Sequence, residues 1–244
     1  MSDKTAPMLM HSTYFNLGPN NTPDISEAYM SEALQYLSTS PGLVSFWIGQ
    51  RAADMNRPEN DLNFNIAMHQ VFRDEAAFNL YNANDTSHNQ FVADVDKWTP
   101  STTRRVMDSY LTNLIIGGNT LTAQGPGKDG NFPQSLFHSL YFSLVDKSAA
   151  SIRKFTDLCR QYLSVHPGVL LFDTGGLTDI KRDVSFRGFE VSMDILYDSK
   201  QAYDNYLLSK EHSEFLSAAK GMIKEEYVFD AYLKYQSTVF SLVK

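Results

Sequence analysis

The sequence predicts an α+β protein built from two copies of one βαββαβ unit. Three observations predict it. First, a strand-like run, a short helix and a histidine follow one another twice: Phe64 to Phe72 with Ala77–Tyr81 and His88, and Phe189 to Tyr197 with Ala202–Leu208 and His212. Second, matched segments flank both copies in the same order. Third, the offset between copies drifts in small steps: 127 at His11/His138, 126 at Pro41/Pro167, 125 at Tyr81/Tyr206, 124 at His88/His212 and 122 at Asp108/Asp230. Loss of single loop residues after a duplication produces such a drift.

The elements of the first copy read in order. His11 to Leu17 alternates and predicts strand one. Gly18 to Asp24 is a turn cluster, and Ser26 is the expected N-cap of a helix from Glu27 to Ser38 with Ala28, Leu34 and Leu37 as its buried stripe. Ser40-Pro41-Gly42 stops that helix. Leu43 to Gln50 is strand two and Leu62 to Phe72 strand three, with Phe64, Ile66, Met68, Gln70 and Phe72 on one face. Asp74 caps a second helix to about Asn82, a turning segment runs from Phe91 to Trp98, and Val106 to Leu111 is strand four. Residues 10–112 thus form repeat one. Residues 113–136, rich in Gly, Asn, Thr and Pro from Gly117 to Gln134, are the expected linker. Residues 137–235 repeat the pattern: Phe137 to Phe142, Val165-His166-Pro167-Gly168-Val169, Tyr197-Asp198-Ser199 and Val228 to Leu233.

A βαββαβ unit of this size is the ferredoxin-like arrangement, a four-stranded antiparallel sheet with both helices on one face. Strand three carries apolar residues on both faces, so the face away from the helices must also be covered. The second copy is the natural cover. The fold class expected is therefore two ferredoxin-like repeats packed sheet to sheet as an intramolecular pseudo-dimeric α/β barrel, with further homo-oligomerisation left open.

Composition bounds the partners. The 244-residue chain is 43% apolar and 13% aromatic, enough for a large core. A net charge of −7 without a Lys/Arg cluster argues against nucleic acid. Cys159 stands alone, forms no internal disulfide and falls in a helical pattern that predicts a buried inert thiol. The N-terminus lacks a basic region followed by an apolar core, and no apolar run approaches the roughly 20 residues of a membrane span. The expectation is a cytoplasmic protein whose partner is a small-molecule ligand or substrate, not a membrane. No metal and no cofactor are expected: no His-x-His occurs, and no Gly-x-Gly-x-x-Gly joins a strand to a helix.

With these elements placed, the chain resembles the stress-responsive A/B barrel (Dabb) family across both halves. The resemblance rests on the strand-one histidines His11 and His138, the Pro-Gly before strand two, the Phe/Tyr-x-Asp/Ser entry to helix two, the Tyr with a His soon after, and the Val-x-Asp-x-Tyr of strand four. It implies a ferredoxin-like fold that pairs sheet against sheet. A plant polyketide cyclase of that family has a similar Tyr-then-His spacing of six, matched here by Tyr206 and His212. The resemblance then implies that His212 is a base, that Tyr206 orients the substrate and that His138 lines the same region. An imidazole of near-neutral pKa can take a proton α to a carbonyl beside an orienting hydroxyl. The first repeat offers Tyr81, His88 and His11, with a Tyr–His spacing of seven. Another cyclase histidine, at the start of strand three, falls here on about Val191 and Ile66.

Two function classes follow. One is a barrel that binds a small apolar or aromatic ligand between sheet and helices without catalysis. The other is a cofactor-free cyclase-like enzyme or isomerase acting on a carbonyl substrate, with a monooxygenase of the same architecture as a further alternative. The bland readings are that strand-one histidines are structural hydrogen-bonding groups, that His212 caps a helix C-terminus, that His69 and His166 have no role, and that Tyr110 and Tyr232 are packing residues beside hydrogen-bonding Asp108 and Asp230.

Overall fold

The computed structural model describes residues 6–19, 21–95, 104–116 and 135–238. The first repeat comprises β1 (Met8–Phe15), α1 (Pro23–Leu37), β2 (Leu43–Arg51), β3 (Ile66–Phe72), α2 (Glu75–Asn84), α3 (Thr86–Val95), β4 (Arg104–Leu111) and the two-residue β5 (Ile115–Ile116). The second comprises β6 (Leu136–Leu144), α4 (Ala149–Leu163), β7 (Val169–Leu177), β8 (Val191–Tyr197), α5 (Lys200–Leu207), α6 (Lys210–Ala218) and β9 (Ile223–Thr238). Residues 117–134 of the expected linker and Trp98 lie outside the described residues, while Ile115–Ile116, expected in the linker, pair with β7.

Each repeat has the antiparallel ferredoxin-like order: β4-β1-β3-β2 in the first and β9-β6-β8-β7 in the second. The two sheets face each other and also join at both edges, β2 to β9 and β4 to β7, so the eight long strands close into one barrel. Closure leaves no unpaired strand edge among them. β9 makes the longer seam because it runs 16 residues, pairing β6 at its start and β2 at its end. β4 with β5 performs the same service across β7, interrupted where the Thr112 and Asn113 amides bond the Thr174 carbonyl.

Strand alternation sorts the side chains into a barrel interior and two helix-covered outer layers. Interior residues come from both repeats: Tyr14, Phe64, Met107, Tyr141, Phe189 and Phe229 at one level, Met10, Trp47, Val71, Phe137 and Leu196 at another. Tyr14 stacks on Phe229 at 3.8 Å, and its hydroxyl meets that of Tyr141 at 3.0 Å. Phe64, expected on the face with Ile66, lies in this interior because the chain bends just before β3. His69 also points inward, stacked on Phe137 at 4.2 Å with its Nδ1 hydrogen-bonded to Ser12 at 2.9 Å. Outside, α1–α3 cover one half-barrel and α4–α6 the other. Cys159 is buried there, and burial pushes its thiol up.

Local signals explain the helix boundaries. Asp74 and Ser199 cap α2 and α5 through Ala77 N and Ala202 N. The turns before β2 and β7 use Gly42 at φ +80° and Gly168 at φ +88°. Two expectations need correction. α1 starts at Pro23, not Glu27: Pro occupies the first turn, where its missing N–H costs nothing, and Thr22 rather than Ser26 is the cap. The helix after Tyr206 does break near Ser209, but it restarts at once: Ser209 caps α6 by accepting from His212 N. His212 therefore sits in the first turn of a helix, not at a C-terminus. His88 occupies the matching turn of α3, its amide bonded to Asp85. Among the described residues, no helix is long and apolar enough to cross a membrane.

Candidate functional site

Two cavities lie between sheet and helices, one per repeat, of about 190 Å³ in the first and 160 Å³ in the second. Thirteen residues line the first, and the repeat counterpart of each lines the second. The pseudo-two-fold that relates the sheets therefore also relates the cavities. All six expected site residues fall here: His11, Tyr81 and His88 in the first, His138, Tyr206 and His212 in the second.

Antiparallel register builds the base of each cavity. β1 and β4 place His11 opposite Asp108, and β6 and β9 place His138 opposite Asp230. His11 Nδ1–H donates to Asp108 Oδ1 at 2.6 Å, and His138 Nδ1–H donates to Asp230 Oδ1 at 2.5 Å. Both pairs are buried. A carboxylate on Nδ1 fixes the tautomer and leaves Nε2 as the basic nitrogen. In the first cavity His11 Nε2 lies 3.4 Å from the Thr13 hydroxyl; Leu140 replaces that hydroxyl in the second. Burial pushes Asp108 up, but the His11 charge and hydrogen bond, with Ser185 and Arg182, outweigh it and hold the carboxyl below its ordinary value.

The second oxygen of each aspartate is held by the opposite repeat. Ser185 Oγ donates to Asp108 Oδ2 at 2.5 Å, with Arg182 Nη1 3.6 Å away. Asn60 Nδ2 donates to Asp230 Oδ2, with Arg57 Nη2 3.7 Å away. Arg57 and Asn60 lie between β2 and β3, and Arg182 and Ser185 between β7 and β8, at a constant offset of 125. Each arginine also covers an aromatic ring, Arg182 over Phe78 at 5.2 Å and Arg57 over Tyr203 at 5.5 Å. Neither cavity is complete without the other repeat. Motif reading missed these loop residues, although the Arg57/Arg182 offset equals that of Tyr81/Tyr206.

The helices supply the roof. Tyr81 packs against His88 with ring centroids 4.2 Å apart and tilted by 44°, and donates its hydroxyl to Gln70 at 2.9 Å. Tyr206 contacts His212 at 4.9 Å. Burial raises both phenols, so they stay neutral donors. Burial, then the nearby His11 and Arg182 charges, lowers His88 to about 4. Burial and His138 lower His212 in the same direction. Both roof imidazoles are therefore neutral near pH 7. His166 stays in its turn, with Nδ1 3.0 Å from the Pro167 carbonyl. Tyr110 and Tyr232 bond Glu75 and Asp54 at 2.6 and 2.9 Å, away from the cavities. Among the described residues no three His, Cys, Asp or Glu side chains converge as a metal site.

No family model matches the chain, and no curated relative does. Solved structures do match over nearly full length. A candidate monooxygenase from Lactobacillus acidophilus is 16% identical with a TM-score of 0.64, covering 96% of this chain and 97% of that one. A candidate monooxygenase from Fusobacterium nucleatum is 10% identical with a TM-score of 0.69, covering 96% and 95%. An anthrone oxidase-like protein is 12% identical with a TM-score of 0.66, covering 98% and 96%. The tandem ferredoxin-like barrel is thus an established architecture for chains of this length.

Proposed function

We propose that the protein binds compact carbonyl or phenolic molecules in its two sheet–helix cavities and catalyses proton transfer there without a cofactor. The observation that carries this reading is the buried His–Asp pair at the floor of each cavity. The resemblance to the stress-responsive A/B barrel family puts the same residues around the cavity but implies His212 as the base and His138 as a lining group. The reading here moves the base to the strand-one histidine, because that imidazole has a buried carboxylate on Nδ1.

The roles follow from position. His11, and His138 in the second cavity, is the base: Nε2 takes the proton and the aspartate steadies the imidazolium through Nδ1. The C–H bond α to the substrate carbonyl breaks, and its electron pair moves to the carbonyl oxygen as an enolate. Arg182, or Arg57 in the second cavity, offers that oxygen a charged donor. Returning the proton to a neighbouring carbon gives an isomerase, and attack of the enolate carbon on a second carbonyl gives a cyclase. Tyr81–His88 and Tyr206–His212 wall the substrate in as neutral partners. A positioned base of this kind contributes roughly 10²- to 10⁴-fold. The same proton removal is the first step open to a monooxygenase, the description two of the neighbours carry, and oxygen consumption separates that outcome.

The test is thermal-shift binding of aromatic acids, β-keto acids and acyl thioesters by the wild type, His11→Gln and His138→Gln. Stabilisation that each variant loses for its own cavity supports the reading. Equal stabilisation of all three proteins, or none, refutes it.

A further inference from the structure

The two cavities match position by position, and besides the polar-to-apolar changes Thr13/Leu140 and Asn82/Leu207 they differ in charge. Strand register makes Arg104 and Glu226 equivalent: Arg104 lies opposite Phe15 on β1, and Glu226 opposite Phe142 on β6. Arg104 lines the first cavity and Glu226 the second. In the crossing loops, Val184 of the first cavity corresponds to Glu59 of the second, again at the offset of 125. The two retained arginines consequently stand in different surroundings. Arg57 is paired with Glu59 at 2.9 Å. Arg182 has no such partner at its mouth, where Val184 replaces Glu59. Each arginine reaches its buried aspartate and keeps one buried nitrogen, Arg182 Nη1 or Arg57 Nε, without a hydrogen bond among the described residues. Arg182 and Arg104 give the first cavity's lining two positive charges; Arg57, Glu59 and Glu226 leave the second with one net negative. Asp108 and Asp230 are common to both and cancel in the comparison.

From this we infer that the duplicated cavities have diverged in substrate class: the first takes a carboxylate-bearing molecule, and the second rejects anions and takes a neutral or amine-bearing one. This rests on the small-molecule reading above. An anion at Arg182 and Arg104 supplies Nη1, which lies 3.6 Å from Asp108 but makes no hydrogen bond among the described residues, with a charge-assisted one. It also lies close to His88 Nδ1, which is buried without a hydrogen-bond partner. In the second cavity the same anion would approach Glu226, whose carboxyl is already pushed up by burial and by Glu59. Like charge in a half-enclosed site discriminates strongly against the wrong ligand.

Methionines provide a separate reporter in each cavity: Met68 lines the first and Met193 the second. The experiment titrates full-length protein carrying ¹³C-methyl methionine with benzoate, benzylamine and methyl benzoate. Benzoate is expected to shift the Met68 methyl alone, benzylamine the Met193 methyl, and methyl benzoate both. Arg104→Glu should weaken benzoate at Met68 roughly tenfold, and Glu226→Arg should create a benzoate response at Met193. Glu226 stands at the cavity rim, the residue largely open to solvent although its carboxyl is half-buried among the lining groups, so its variant is expected to fold. If methyl benzoate binds but benzoate shifts both methyls alike, or neither charge reversal changes its affinity, the divergence is refuted while the binding reading stands. If none of the three probes moves either methyl, both fall together.

Discussion

Two carboxyl groups sealed inside the barrel make a pH-dependent prediction. Asp173 on β7 lies opposite Asp194 on β8, and both are fully buried. None of their four oxygens has a well-formed hydrogen bond among the described residues, and the nearby Ser139 hydroxyl offsets the burial of Asp194 only in part. Burial raises Asp194 from 3.8 to about 7, and burial with the Asp194 charge raises Asp173 well above its ordinary value. The folded protein therefore holds protons that the unfolded chain releases. The stability tied to this pair is fully present below about pH 4 and is lost as pH rises toward 7. The displacement at Asp194 amounts to about 4 kcal/mol of lost stability above pH 7. Asp194→Asn removes the titration and relieves Asp173 of its neighbour's charge. It should raise stability by only about 1 kcal/mol at pH 4.5 and by up to about 4 kcal/mol at pH 8, the latter about 8–16 °C in Tm for a chain of this size. Calorimetry of both proteins at pH 4.5, 6 and 8 reads the difference directly. A Tm difference that does not grow with pH, or an asparagine variant less stable at pH 8, would refute the argument that this pair faces into a dry barrel.

Other predictions concern the seams and the cavities. A Cβ at Gly175 would collide with the Tyr110 carbonyl across the β4–β7 seam, whereas one at Gly176 meets only Glu190 O at 3.8 Å. Gly175→Ala should thus cost at least about 1–3 kcal/mol in urea unfolding, while Gly176→Ala stays within about 0.5 kcal/mol. Asp108→Asn removes the partner of a buried histidine and should cost about 3–5 kcal/mol by the same measurement; a loss matching Ser185→Ala would show that His11 does not depend on the carboxylate. His88, lowered to about 4, should titrate near that value by NMR. Because its folded pKa is depressed, its contribution is complete above about pH 6.5 and is lost as pH falls toward 4, opposite in sign to the Asp173–Asp194 pair. Benzoate bound in the first cavity should move that titration upward.

The duplicated order is legible in the sequence because its markers are local. Asp74 and Ser199 cap their helices, Pro41-Gly42 and Pro167-Gly168 turn the chain, and His11 and His138 keep their place in β1 and β6. Barrel closure follows from β3, where Ala67, His69 and Val71 on the second face had to be covered. What the sequence conceals is long-range. His11 and Asp108 are 97 residues apart, and only the β1–β4 register brings them together. Arg57, Asn60, Arg182 and Ser185 sit in connections without periodicity, and their contacts cross from one repeat to the other. The Asp173–Asp194 pair is masked because β7 and β8 are buried on both faces, so no alternation marks the interior side. The α6 restart is hidden for a different reason: Ser209 both ends one helix and caps the next, so residues 200–212 read as one helix that fades.

The central claim is that the strand-one histidines are bases, and proton exchange tests it most directly. Wild type, His11→Gln, His138→Gln and the double variant are incubated in D₂O with acetoacetate and with an acetoacetyl thioester, and α-deuteration is followed by NMR. The account predicts exchange faster than in buffer with at least one substrate, a partial loss in one single variant, and a loss of about 100-fold or more in the double variant. Exchange no faster than in buffer for either substrate, or exchange undiminished when both histidines are replaced, would contradict it.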